Sequence, residues 1–86
     1  MNSNPQLKKI SLRYFSSFAE IAGKTEEEYH TPAQTVEMLW LELNGRYAFD
    51  QPQQSVRPSI NHQFCDWQTP INDRDIISFI PPVSGG

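Results

Sequence analysis

The stretch Ile76-Ile77-Ser78-Phe79-Ile80-Pro81-Pro82-Val83-Ser84-Gly85-Gly86 decides how the rest of the chain is read. Its first five residues form a nearly continuous apolar run, which fits a central strand covered on both faces. Two prolines then fix the backbone in an extended form and carry it off the sheet. The final two positions hold half of the four glycines in 86 residues. A terminus with no task is commonly polar and frayed. This one reads as built to project an unhindered carboxylate from a folded body.

A central last strand needs neighbours, and the natural one is the first strand, running parallel with a helix crossing between them. Leu7 to Phe15 alternates, with Ile10, Leu12 and Tyr14 on one side and Ser11, Arg13 and Phe15 on the other. Phe15 therefore falls on the face expected to be wet. Ser16 or Ser17 is expected to cap a short helix through Ala22, with Phe18 and Ile21 on one face and Gly23 as its stop. Glu26-Glu27-Glu28-Tyr29-His30 reads as an edge strand whose charges discourage sheet-to-sheet pairing. Thr35 is placed to cap the main helix, where Val36, Leu39, Trp40 and Leu43 at i, i+3, i+4 and i+7 make the core stripe. Asn44-Gly45 is the expected end of that helix.

Beyond it, Tyr47 and Phe49 are expected to tuck back against the core. Val56 to Ile60 reads as a short strand, pushed toward an edge by Pro58. Asn61-His62 makes a hairpin turn because Asn tolerates positive φ. Phe64 to Trp67 is the expected return strand, with Cys65 and Trp67 facing in and Phe64 and Asp66 facing out. The order strand, short helix, strand, long helix, hairpin, final strand gives an α+β class, one main helix on a small mixed sheet. The division is a disordered N-terminus over 1–6, a domain over 7–80 and an extended tail over 81–86.

Composition narrows the function. A chain of this length buries roughly 60% of its unfolded surface, which leaves little room for an internal active-site cavity. The net charge of −3, with seven scattered basic residues, argues against nucleic acid. No apolar stretch approaches the ~20 residues of a membrane span. A single cysteine, Cys65, excludes an internal disulfide and fits a reducing cytoplasm. His30, His62 and Cys65 show no metal-binding spacing, so no metal is expected. Cys65 reads as a small inward hydrophobe. Asp73-Arg74-Asp75 reads as turn chemistry before a strand rather than an acid–base pair. No glycine-rich loop offers a phosphate cradle.

The remaining reactive group is the carboxylate of Gly86. Two glycines let such a tail thread a narrow tunnel and leave its acyl carbon open to attack. Coupling to AMP would make a mixed anhydride; attack by sulfur would then give a thiocarboxylate, and attack by lysine an isopeptide bond.

The ending FIPPVSGG resembles that of the molybdopterin synthase small subunits, sulfur carriers with the β-grasp (ubiquitin-like) fold. ISLRYFSSFAEIAG resembles the family's opening strand and helix, TVEMLWLEL its main helix, and SINHQF with PINDRDIISF its hairpin and last strand. The likeness covers residues 7–86. Two places depart from the family pattern: Ala19 stands where Arg is frequent, and Asp73-Arg74-Asp75 stands where Asp-Gly-Asp is usual. Arginine in the glycine position argues against a positive-φ turn there.

The resemblance implies that Gly86 is adenylated by a separate ATP-dependent activating enzyme and takes sulfur from a donor as a thiocarboxylate. Pro81, Pro82, Val83, Ser84 and Gly85 would then occupy a tunnel in the large synthase subunit, within a heterotetramer. The acceptor would be cyclic pyranopterin monophosphate. This chain would bind no cofactor, and catalytic side chains would belong to the partner. On this reading Phe15, Phe64 and Ile80 form one apolar patch for docking a partner. The alternatives are a thiamin-pathway sulfur carrier, a ubiquitin-like modifier joined to lysines, and a plain β-grasp interaction module.

Overall fold

A computed structural model of the chain describes residues 7–82. The expectations for residues 1–6 and 83–86 lie outside them. Five strands form one mixed sheet: β1 Lys8–Tyr14, β2 Glu26–Thr31, β3 Arg57–Ile60, β4 Gln63–Phe64 and β5 Ile76–Ile80. Their order is β2-β1-β5-β3-β4, so the last strand is central. It runs parallel to β1 and antiparallel to β3. Ile77, Ser78 and Phe79 are all buried, but only the face carrying Ile77 and Phe79 is packed by the helices, so the expected cover on both faces is met on one face alone. The acidic β2 is an edge, also as expected.

Two helices, α1 Ser16–Ala22 and α2 Val36–Tyr47, complete the fold. The sheet face carrying Ile10, Leu12, Tyr14, Ile77 and Phe79 shares one core with Phe18 of α1 and with Val36, Leu39, Trp40 and Leu43 of α2. Thr35 caps α2 as expected, its hydroxyl accepting from the Met38 amide at 3.3 Å. Phe49 is fully buried and Tyr47 partly so. The Asn61-His62 turn has φ of 53° and 73° at its two residues, the primed hairpin geometry.

Four more expectations are corrected. Neither Ser16 nor Ser17 caps α1. Phe15 holds the N-cap position with an extended backbone, and its carbonyl accepts from the amides of Phe18 at 3.0 Å and Ala19 at 3.4 Å. Phe18 is buried but Ile21 is 43% exposed, because a seven-residue helix turns only one narrow face to the core.

The second correction is that α2 runs past Asn44-Gly45 to Tyr47. Asn44 acts from inside the helix: its carbonyl accepts from the Ala48 amide at 2.8 Å, and its side-chain oxygen accepts from the Phe49 amide at 2.9 Å. Ala48 then takes the left-handed conformation at φ 55°. The extra turn brings Tyr47 to the half-buried Glu27 carboxylate and Phe49 into the core, which outweighs the local preference for glycine at the stop.

Third, the return strand is only Gln63–Phe64. The segment after it has other work: the carbonyls of Trp67 and Thr69 accept from the Glu37 and Val36 amides at 2.9 and 3.0 Å. Those are first-turn donors that a helix cannot satisfy internally. Pro58 consequently sits in a strand that is flanked on both sides only over Ser59 and Ile60.

Fourth, Arg74 does adopt positive φ, at 73°. Its amide donates to the Lys9 carbonyl at 2.7 Å, the Lys9 amide donates to Asp73 Oδ1 at 2.7 Å, and Asp75 Oδ2 accepts from the Asn72 amide at 2.8 Å. This bonding holds an arginine where glycine would be unstrained. Left-handed backbone costs a side-chain-bearing residue about 1–2 kcal/mol, and glycine returns part of that in chain entropy. Arg74→Gly is therefore expected to stabilise by about 0.5–1 kcal/mol. A melting midpoint that falls, or does not move, contradicts this.

Candidate functional site: the tail exit and the open sheet face

The site is built at the C-terminal end of β5. Tyr14 pairs with Phe79, and Arg57 with Ile80, so the ends of β1 and β5 and the start of β3 meet where the tail leaves. Pro81 is buried at this exit and Pro82 is exposed. Val83, Ser84, Gly85 and Gly86, named above as tunnel and carrier residues, lie outside the described residues.

Helices cover one sheet face and leave the other open. Strand parity places Arg13, Ser78, Ile80, Arg57, Ser59 and Phe64 on the open face, with Phe15 just beyond the end of β1. Phe15 is 44% exposed, Phe64 59%, and Ile80 half-buried. The structure brings Phe15 and Ile80 to the same end of adjacent strands. Phe64 stands apart from them, with the Arg57 guanidinium stacked over its ring at 3.8 Å. Sequence reasoning missed Arg57, although the alternation of β3 gives it the same facing as Ile80. On the same face, β2 contributes Glu26 and Glu28, with Glu28 bridged to Lys9 at 3.1 Å.

Behind the exit lies a second group that the sequence did not reveal. Glu27 points toward the helices, where Oε2 accepts from the Tyr14 hydroxyl at 2.6 Å and the Tyr47 hydroxyl at 2.8 Å. Its Oε1 accepts from Lys24 Nζ at 3.2 Å. Burial alone would raise this carboxyl, but the bonds from Tyr14, Tyr47 and Lys24 hold it below the usual carboxylate range. A depressed folded-state pKa adds stability that is present above the ordinary value of 4.5 and is lost as pH falls through the folded-state value. Glu27→Gln is thus expected to flatten the acid limb of a stability-versus-pH curve. An acid limb equal to that of the parent chain contradicts this.

Other groups offer little chemistry. Cys65 is half-buried and burial pushes its thiol up, away from the reactive thiolate. Among the described residues, no three of His, Cys, Asp and Glu converge as a metal site requires. Among the same residues, no helix is long and apolar enough to cross a membrane.

Fold and exit together define a class: a β-grasp, ubiquitin-like domain whose central strand delivers a C-terminal tail beside an open, partly apolar sheet face. The sequence profile of the ThiS family matches residues 12–86, and the chain belongs to that family. It is 26% identical over 80 residues to the molybdopterin synthase sulfur carrier subunit of Escherichia coli, covering 90% of this chain and 99% of the other. Molybdopterin converting factor subunit 1 of Pyrococcus furiosus is 27% identical with a TM-score of 0.75, over 88% of this chain and 99% of that one. A second similar structure is a chain from the complex of subunits 1 and 2 of the molybdopterin-converting factor from Helicobacter pylori. It matches at 26% identity and TM-score 0.61, over 91% and 99% of the two chains.

Proposed function

We propose that this chain is a sulfur carrier acting as the small subunit of molybdopterin synthase. The observation that carries the reading is the central β5 running through Pro81-Pro82 toward Gly85-Gly86 in a chain of the ThiS family. An ATP-dependent activating enzyme adenylates Gly86, and a sulfur donor converts the adenylate to a thiocarboxylate. The tail from Pro81 to Gly85 then enters a tunnel in the large subunit. There the sulfur passes to cyclic pyranopterin monophosphate, on the path to the dithiolene of molybdopterin. Glycines suit this task because a side chain beside the acyl carbon would block both the tunnel and the attacking group. The reaction belongs to the cytoplasm, and the chain itself holds no cofactor. The Helicobacter pylori complex supports a large-subunit partner.

Reconstitution tests the pathway. The thiocarboxylated chain, mixed with a large synthase subunit and the pterin precursor, is expected to yield molybdopterin. Sulfur delivery only to a thiazole-forming system would move the chain to the thiamin pathway.

Docking uses Phe15, Ile80 and Phe64 on the open face. Phe64 lies on the edge strand, apart from the other two, and an aromatic buried on docking contributes about 1–2 kcal/mol, so Phe64→Asp is expected to weaken large-subunit binding by about tenfold. Unchanged affinity in a titration would remove Phe64 from the interface.

A further inference from the structure

The open face reverses the charge of the chain. Its strand residues carry Lys9, Arg13 and Arg57 against Glu26 and Glu28, a net +1 on a chain of −3. Lys9 and Glu28 answer each other at the end away from the tail. The remaining cations lie toward the exit, Arg13 level with Ser78 on β5 and Arg57 level with Ile80. Glu26 stands opposite Arg13 on β2 and offsets part of its charge. No ion pair joins Arg57 to a carboxylate among the described residues, Asp66 just beyond β4 included.

The Arg57 guanidinium is also held in place. It stacks on the Phe64 ring at 3.8 Å, a contact that uses its flat face and leaves its edge N–H donors unused by the ring. A planar fork fixed in this way matches a carboxylate through two parallel hydrogen bonds. Arg13 and Arg57 stand on either side of β5, two strand spacings or about 10 Å apart. The floor between them is low, because Ser59 and Ser78 pair there with small side chains that are 8% and 7% exposed.

We propose that Arg57, positioned by Phe64, and Arg13 read an acidic segment of the large synthase subunit laid across β5 beside the tail exit. This rests on the carrier reading above and adds to it the residues that select the partner. Arg57 takes one carboxylate of the segment in its fork. Arg13, already facing Glu26, adds a weaker attraction for a second. The serine floor lets the segment's backbone approach β5, and Phe15 and Ile80 continue the same face as its apolar border.

The test titrates the full chain against the large subunit and follows affinity, its salt dependence and the melting midpoint. Arg57→Ala is expected to weaken binding about tenfold and Arg57→Glu about a hundredfold, while Arg13→Glu costs less than Arg57→Glu. Arg57→Lys keeps the charge but loses the fork, so it should recover only part of the loss. Phe64→Leu combined with Arg57→Ala should cost less than the product of their separate losses, since the two disable one unit. Arg74→Glu makes the same change of charge beside Lys9, at the opposite end of β1 and beyond the screening length of about 8 Å. It should move affinity less than about threefold.

If Arg57→Glu binds as tightly as the parent and still donates sulfur, this proposal is overturned while the carrier reading stands. If Arg57→Lys equals the parent, or Arg74→Glu costs as much as Arg57→Glu, net charge replaces the fork and the proposal is overturned. A loss confined to the activating enzyme overturns it as well, as does salt-sensitive pairing of the chain with itself through Arg57. If the parent does not bind the large subunit at all, the carrier reading itself fails. The parent chain alone covers the case in which Arg57→Glu does not fold. Its affinity for the large subunit should fall several-fold between about 50 and about 500 mM salt, and an affinity indifferent to salt overturns the proposal.

Discussion

Removal of Gly86 is expected to abolish sulfur transfer while leaving the fold untouched. The folded body is closed by contacts among residues 7–82, and Pro81 at the exit is the last buried residue described. Thermal unfolding of the shortened chain should therefore match that of the parent. Chemistry should not survive, because the reacting carbonyl moves back by one residue, about 3.5 Å. A misplacement of about 1 Å at a reacting centre can already cost about 10²-fold. The shortened chain should give background thiocarboxylate and background molybdopterin, yet still bind a large subunit through the open face. Retained sulfur transfer would mean that the terminal residue is not the carrier.

Trp40→Ala has the largest expected effect on stability. Trp40 is 1% exposed, with the rings of Phe79 at 5.3 Å, Phe49 at 5.7 Å, Phe18 at 5.8 Å and Trp67 at 6.0 Å. It is the point where both helices, the long connection and the central strand meet. Truncating a buried tryptophan costs about 3–5 kcal/mol through lost transfer energy and the cavity left behind. Small domains have only about 5–15 kcal/mol in total, so the variant should be largely unfolded or close to it. For a domain of this size each kcal/mol lowers the melting midpoint by about 4–8 °C. A fall of less than about 8 °C would show that the surrounding rings collapse into the space. Because Phe79 precedes the exit by two residues, the same variant should also weaken the base on which the tail stands.

Much of the fold was legible because it follows from strong periodic signals. The apolar run at β5, the alternation of β1 and the helical stripe from Val36 to Leu43 each mark a face that has to be buried, and each element was placed correctly. Asn61-His62 announced its turn through residue chemistry. The misreadings share a cause: a local preference was overruled by a distant partner. Gly45 looked like a helix stop, but Tyr47 gains a bond to Glu27 and Phe49 gains the core. Phe64 to Trp67 looked like a strand, but its carbonyls are taken by the first turn of α2. Arg74 looked unsuited to positive φ, but Lys9 holds it on one side and Asp75 braces the turn on the other.

At the tail exit, strand parity gave the facing of Phe15, Phe64 and Ile80 from sequence alone. It did not give Arg57 stacked on Phe64, since β3 is too short for its alternation to stand out beside Pro58. The Glu27 group was hidden more deeply. Glu26, Glu27 and Glu28 look identical in sequence, and only the pleat separates the inward carboxylate from its two outward neighbours.

The central claim is that Gly86 carries sulfur, and intact-mass analysis tests it most directly. The chain is incubated with ATP, an activating enzyme and a sulfur donor, and its mass is compared with that of the untreated chain. The account predicts a mass gain equal to replacing one oxygen by sulfur, located at Gly86 by fragmentation and absent without ATP. An unchanged mass, or adducts joined through lysines of other proteins with no thiocarboxylate, would contradict it.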